Sequence, residues 1–345
     1  MRIVGETRPG TPGRQSPKRS RPYRLLMLGL PLLLPLSQAD AAPYCSTSSA
    51  PSLNFGAVPA TTYQDAQTAI VLNCNGGIGT LVTPAIFRVC LFVGTGTSSA
   101  VAPRLMSNGN GDFMRYDLYA DAARSQLIGP QWSGYPVYSL TFRLAPRENL
   151  SFRIPIHGRV HAGQNLSGKS PYRDVPYNSF IRYSYGYIHT PTENDCRERY
   201  PGHLGAAGDI DFNWSGVQAT VPRSCRISTL AQMNFGAANA FAGSHEQTAS
   251  VQLKCTRDVA WQVSLDEGLH AQSGDRFMAS GDARLGYELY SDPSRSNRWG
   301  NTQGSNVNGV GNGDVQRLTV YGQVPAQPGV LPGSYQDTIT VTLTY

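Results

Sequence analysis

The feature that most constrains this chain is an internal repeat framed by cysteines. Cys45 is followed by Leu53-Asn54-Phe55-Gly56-Ala57 and then by Cys74; Cys225 is followed by Met233-Asn234-Phe235-Gly236-Ala237 and then by Cys255. Arg104-Leu105-Met106 returns as Arg276-Phe277-Met278, and Tyr116-Asp117-Leu118-Tyr119 as Tyr287-Glu288-Leu289-Tyr290. Tyr172-Arg173-Asp174 returns as Tyr335-Gln336-Asp337. The order is kept while the offset falls from 180 (Cys45 to Cys225) to 163 (Tyr172 to Tyr335), as expected of two copies of one unit with different loops. Each copy exceeds about 110 residues, enough to bury a core of its own.

The repeat also selects among disulfide pairings. Six cysteines allow about 15 connectivities. The duplicated positions pair Cys45 with Cys74 and Cys225 with Cys255, which leaves Cys90 and Cys196 for each other inside the first copy. Each repeated bond closes a loop of about 30 residues, a stabilisation of roughly 3–4 kcal/mol in the chain-entropy model. No two cysteines have the Cys-x-x-Cys spacing of zinc or redox sites.

Disulfides need an oxidising compartment, and the first 41 residues supply the route. Basic residues from Arg14 to Arg24 lead into the apolar run Leu25 to Leu36 and then Ala39-Asp40-Ala41, the small-x-small spacing of a cleavage site. The apolar run has 12 residues, whereas a membrane span needs about 20. The segment reads as a cleaved secretory signal, the alternative being a short uncut anchor. Seven of the 29 basic residues and two of the 23 acidic ones lie in it, leaving 22 and 21 and a net charge of +1. No basic patch remains to attract nucleic acid.

Both copies read as β. Ile339, Val341, Leu343 and Tyr345 alternate with threonines; Trp261, Val263 and Leu265 alternate likewise, as do Ile181, Tyr183, Tyr185 and Tyr187. Period-two alternation marks strands with one buried face. The many glycines and prolines supply turns, and no stretch carries a helical period. The predicted fold is all-β: two tandem immunoglobulin-like sandwiches, at 42–221 and 222–345.

Four segments carry a resemblance: Arg276-Phe277-Met278, Tyr287 to Gly300, Leu318 to Val324 and Gly333 to Tyr345. In order and spacing they resemble the spore coat protein U family, which includes the pilins of archaic, Csu-type chaperone–usher pili. The likeness covers nearly all of the second copy and the first as far as Tyr119. A divergent first domain followed by a standard pilin domain resembles the two-domain tip adhesin of such pili. That implies a periplasmic chaperone, an outer-membrane usher and the donor strand of the next pilin subunit as partners, and a place at the pilus tip after secretion through the periplasm. Pilins of this family lack their last strand and accept it by β-augmentation. Only Ala42-Pro43-Tyr44 separate the cleavage site from Cys45, too little to donate outward. The alternation Ile210, Phe212, Trp214, continuing to Val221, is expected to complete the first domain in cis. The second domain is expected to lack its final strand, leaving an acceptor edge at Ile339, Val341, Leu343 and Tyr345.

Chain parity locates the free end. If strands alternate in direction, the loops near 75–84, 122–140 and 188–209 share the pole away from the second domain. They carry Ile78, Leu81 and Val82; Trp132, Tyr135 and Val137; and Tyr200 and Leu204, many apolar groups for loops. The resemblance implies that such loops adhere to abiotic or host surfaces and promote biofilm formation. Trp132 and Val137 alternatively belong to an extra strand on the domain's own core. The third loop also carries Glu193, Asp195, Arg197, Glu198 and Arg199 around Cys196, which departs from an apolar finger.

Catalysis finds no constellation. His157 and His161 have helical ligand spacing in strand-like sequence, and Gly300 to Gly313 reads as a flexible turn without calcium-loop carboxylates. No enzyme activity, metal or cofactor is expected. The alternatives to a tip adhesin are a lectin-type adhesin, with Tyr172, Tyr177, Tyr183, Tyr185 and Tyr187 stacking on sugars, and a coat or matrix protein without a pilus.

Overall fold

The computed structural model describes residues 41–59, 61–78, 83–238 and 241–345. Apart from Ala41, the predicted leader lies outside them.

The first sandwich contains β1 (Tyr44–Ser46), β2 (Ser52–Ala57), β3 (Gln64–Asn75), β4 (Ala85–Phe92), β5 (Arg104–Ser107), β6 (Phe113–Tyr119), β7 (Tyr138–Leu144), β8 (Asn149–Val160), β9 (Tyr172–Asp174) and β10 (Ser179–Gly186). A one-turn helix α1 (Glu193–Glu198) precedes β11 (Ala206–Phe212) and β12 (Gly216–Thr220). The second is built from β13 (Cys225–Leu230), β14 (His245–Cys255), β15 (Ala260–Leu265), β16 (Arg276–Ser280), β17 (Ala283–Tyr290), β18 (Val307–Val310), β19 (Val315–Val324) and β20 (Val341–Thr344).

In the first sandwich the large sheet has the order β1-β3-β8-β6-β5-β9-β12-β2 and the small one β11-β10-β4-β7. In the second, β13-β14-β19-β17-β16 faces β18-β15-β20. Each pair of sheets encloses a separate apolar core, as the immunoglobulin-like all-β prediction required. Cys45 stands opposite Cys74 and Cys225 opposite Cys255 in matching antiparallel ladders, and each pair is disulfide-bonded, as are Cys90 and Cys196.

The repeated Arg-x-Met and Tyr-x-Leu-Tyr motifs do the same work in both copies. Arg104 is fully buried and its guanidinium donates to the carbonyls of Val93, Gly94 and Ile128. Arg276 donates to those of Leu265, Asp266 and Trp299, and also to the Glu288 carboxylate. Several carbonyls converge where a core strand ends and a turn returns, and a guanidinium with five donors can satisfy them together. Tyr116 donates to Asp174 at 2.6 Å and Tyr287 to Asp337 at 2.5 Å. Burial first, and then the neighbouring carboxylate, raises both phenols, so they stay protonated as donors.

β4 (AIFRVCLF) is almost wholly buried. Phe87, Val89 and Leu91 face the core, while Cys90 and Phe92 join Cys196 in a second cluster, with Val137 and Phe180 packed against it. A strand apolar on both faces needs cover on both, and α1 with the segment before β7 provides it outside the small sheet. The stretch from Gly300 to Gly313, read above as a flexible turn, instead contains β18, which pairs with β15 as β7 pairs with β4.

Pro222 to Ser224 link the sandwiches, which also touch. Gly168 N donates to Arg257 O at 2.8 Å, Asn165 Nδ2 donates to Asn312 O at 2.9 Å, and Arg257 pairs with Asp112.

Candidate functional site

The clearest candidate is a groove that is open in the second sandwich and whose counterpart in the first is filled by that sandwich's own chain. In the first, β11 pairs with β10 from Ser179 to Tyr185, and β12 continues into the large sheet between β9 and β2, parallel to β2. Phe212, Trp214, Val217, Ala219 and Val221 are buried along this path. In the second sandwich the twin of β10 is β20. Its one edge pairs with β15, and its other edge has no strand partner among the described residues.

Beyond β20 the difference continues. Met233 to Ala237, twin of Leu53 to Ala57 in β2, forms no strand, and Tyr335 to Asp337, twin of β9, holds only a single bridge from Gln336 to Ala279. Between them lie adjoining cavities of about 540 and 750 Å³, which share Met233, Phe235, Met278 and Tyr335 as walls. Leu53, Phe55, Met106 and Tyr172 are buried, whereas their counterparts Met233, Phe235, Met278 and Tyr335 are only half-buried. Of the predicted acceptor edge, Ile339, Val341 and Leu343 are half-buried against the core, the threonines between them are exposed, and Tyr345 is exposed.

The rim of the groove is fixed. Besides Tyr287, the Asp337 carboxylate accepts from His270 N at 3.2 Å, and a Cβ on Gly268 would stand 2.0 Å from it. Glycine is required there by close approach, and its φ of +88° suits glycine as well.

The predicted adhesive loops do not share one pole, and this corrects the parity argument. β3 and β8 pair from Gln64↔Val160 to Asn75↔Asn149, so these 12-residue strands span roughly 37 Å between poles. The second sandwich docks near Val160, through Asn165, Gly168 and Asp112. Ile78 lies at the far pole, its N–H bonded to Ala41 O. Leu204 is there too, because Tyr187 N donates to His203 O beyond the Gly186 end of β10. Leu81 and Val82, on the same loop as Ile78, lie outside the described residues.

Trp132, Tyr135 and Val137 belong elsewhere. They precede Tyr138, which stands opposite Leu91 near the docked end of β4, so they cover the outer face of the small sheet. The cause is β7, which adds a reversal and places the turn 145–148 at the far pole, where Arg147 N donates to Gly77 O. Trp132 is 73% exposed, while Tyr135 and Val137 are half-buried. Tyr200 is exposed on the return from α1, and its carbonyl accepts from Ser184. Tyr44 and Ile188, which sequence reasoning did not single out, are exposed at the far pole; Ile188 directly follows the tyrosine alternation of β10.

Two of the five charges around Cys196, Asp195 and Arg197, are used internally. Thr192 and Asp195 form a reciprocal capping box on α1, with Asp195 N to Thr192 Oγ1 at 3.1 Å and Thr192 N to Asp195 Oδ2 at 2.7 Å. Arg197 donates to the carbonyls of Gln131 and Tyr135, and Gln131 Nε2 donates back to Arg197 O at 2.7 Å. Arg182 joins this cover to β11 through Asp209. Asp195, Arg197 and Arg182 hold the loop down, and Glu193, Glu198 and Arg199 stand exposed on it.

Other sequence candidates fall into place. Tyr172 and Tyr185 are buried, Tyr183 and Tyr187 pack against the core and Asp174 is taken up by Tyr116; of the five tyrosines Tyr177 is exposed. His161 contacts Asp117 at 2.8 Å and His157 is buried in β8. Among the described residues no three His, Cys, Asp or Glu side chains cluster as a metal site would require.

The model of the Spore Coat Protein U domain matches residues 33–175 and again 212–342. "Protein U" of Myxococcus xanthus is 35% identical over 107 residues, 28% of this chain, and the chain spans only 59% of that relative's length. Two solved structures align over 88% of the chain at lower similarity. The chaperone–tip adhesion subunit pre-assembly complex of the archaic chaperone–usher Csu pili of Acinetobacter baumannii aligns over all of its chain, at 18% identity and a TM-score of 0.48. The CupB6 tip adhesin of Pseudomonas aeruginosa aligns over 95% of its chain, at 10% identity and a TM-score of 0.37.

Proposed function

The chain belongs to the Spore Coat Protein U domain family, and on that premise we propose that it is an exported adhesive subunit of a chaperone–usher pilus. Its second sandwich accepts a strand from another polypeptide, first a periplasmic chaperone and, after passage through an outer-membrane usher, the next pilin. Its first sandwich, closed by its own strand, presents the far pole to a surface. The observation that carries this reading is the pair of unequal copies: one path is occupied by β11 and β12, and its twin is an open groove walled by Met233, Phe235, Met278 and Tyr335, beside an edge with no strand partner among the described residues. An exposed edge over an open core favours β-augmentation over independence.

The test is co-expression in a periplasm with and without a candidate chaperone. A one-to-one complex, with free chain recovered at less than about a tenth of its yield, is expected. A stable, cooperatively folding monomer obtained without any partner sinks the reading.

Placement favours the far pole as the adhesive face. Ile78 and Leu204 are exposed at the far pole with Ile188 and Tyr44, whereas Trp132 stands on the flank. A few apolar contacts per tip suffice when many pili bind together. Replacing Ile78 and Leu204 together by Asp is expected to lower attachment to polystyrene about tenfold with pilus number unchanged, while Trp132→Asp changes it less than twofold. The reverse ranking in a crystal-violet assay moves the adhesive face to the flank.

A further inference from the structure

The segment that closes the first sandwich breaks its own alternation once. Ile210, Phe212 and Trp214 turn toward the core, and so do Val217, Ala219 and Val221, with Ser215 and Gly216 between the two sets. Since a strand sends every second side chain to one face, an unbroken strand with Trp214 inward would bury Gly216 and expose Val217. The extra residue sits where the segment leaves the small sheet for the large one, between the end of β11 and the start of β12. Ser215 N donates there to Pro51 O at 2.9 Å, its hydroxyl donates to Ala50 O at 3.0 Å, and Gly216 has a φ of +136°. Beyond the break, Ala219 stands opposite Tyr172 and is fully buried, so that position admits only a small side chain.

The open groove has the same two-part wall. Its first half is the free edge of β20, which belongs to the small sheet, with Ile339 and Val341 beside the 540 Å³ cavity. Its second half runs between Met233 to Ala237 and Tyr335 to Asp337, on the large-sheet side, toward Phe241 and Leu285 in the 750 Å³ cavity. Leu230 and Ala231, the counterparts of Ala50 and Pro51, line the first cavity at the crossing.

Resting on the reading that this groove takes a strand from another polypeptide, we infer that its partner segment is bipartite. It has two alternating apolar halves in opposite phase, joined by one extra residue, with bulky side chains in the first half and a small one opposite Tyr335 in the second. The first half runs antiparallel to β20; the second runs parallel to Met233–Ala237 and antiparallel to Tyr335–Asp337. The chain's own residues 206–221 are the template for such a segment.

The experiment appends a flexible Gly/Ser linker and a copy of residues 206–221 after Tyr345 of the full chain. A second tail omits the residue equivalent to Ser215, and a third moves that serine to follow the equivalent of Gln218, keeping length and composition. The readouts are yield of monomer without chaperone and half-life of the second sandwich under limited proteolysis. The native-phase tail is expected to raise both at least about tenfold over the other two. Equal rescue by all three tails overturns the phase requirement while leaving the strand-accepting reading in place. Rescue by none overturns both.

Discussion

Val217→Asp should unfold the first sandwich while the neighbouring substitution Gln218→Lys leaves it intact. Val217 is fully buried in β12 between β2 and β9, and Gln218 is exposed on the opposite face. An uncompensated carboxylate in such a site costs roughly 3–5 kcal/mol, a large part of the 5–15 kcal/mol that holds a typical domain together. Val217→Ala removes two methyl groups only and should cost about 2 kcal/mol. Urea titration of the chaperone-bound chain, followed through near-ultraviolet dichroism, measures all three. If Val217→Asp shifts the midpoint no more than Gln218→Lys, β12 does not close that sandwich.

Replacing Cys90 and Cys196 together by alanine should lower the stability of the same sandwich by roughly 3–5 kcal/mol, because a bond across about 100 residues restricts the unfolded chain most strongly. The two cysteines are 106 residues apart and both sulfurs lie in the cluster between β4 and α1. The double substitution avoids leaving a lone thiol. Removing Cys45 and Cys74, which are 29 residues apart, should cost about 1 kcal/mol less in the same model. The comparison is made from urea midpoints under one buffer condition. An equal or inverted order would mean that strain or residual structure outweighs loop length.

Much of the fold was legible because duplication turns spacing into geometry. Two cysteine frames, two Arg-x-Met motifs and two tyrosine–aspartate pairs with matching order leave little freedom in strand pairing, and the ladders follow them. The pole assignment failed at one element. Tyr138 to Leu144 is a half-exposed strand with a weak pattern, yet β4 needs a partner on its free edge, and meeting that need reverses the chain once more. The helix under Cys196 was readable in principle from Thr192 and Asp195 at capping-box spacing. Arg197 was not, since its partners are the carbonyls of Gln131 and Tyr135, more than sixty positions away. The groove is harder still. The sequences of Met233–Ala237 and Leu53–Ala57 are nearly the same, and only the presence of β12 beside one of them separates a buried strand from an open wall.

The placement of the Cys225–Cys255 bond bears on how the molecule responds to pulling. The chain leaves the first sandwich at Val221 and enters the second at Cys225, where a covalent bond joins it at once to the end of β14. Tension arriving through Pro222 to Ser224 therefore passes through sulfur into β14, whose ladder with β19 runs from His245 to Lys254. β13 hangs beside that route and cannot be peeled from its leading end. The wall of the groove that follows β13 is thus secured at its leading end by a covalent bond as well as by the hydrogen bonds of the β13–β14 ladder.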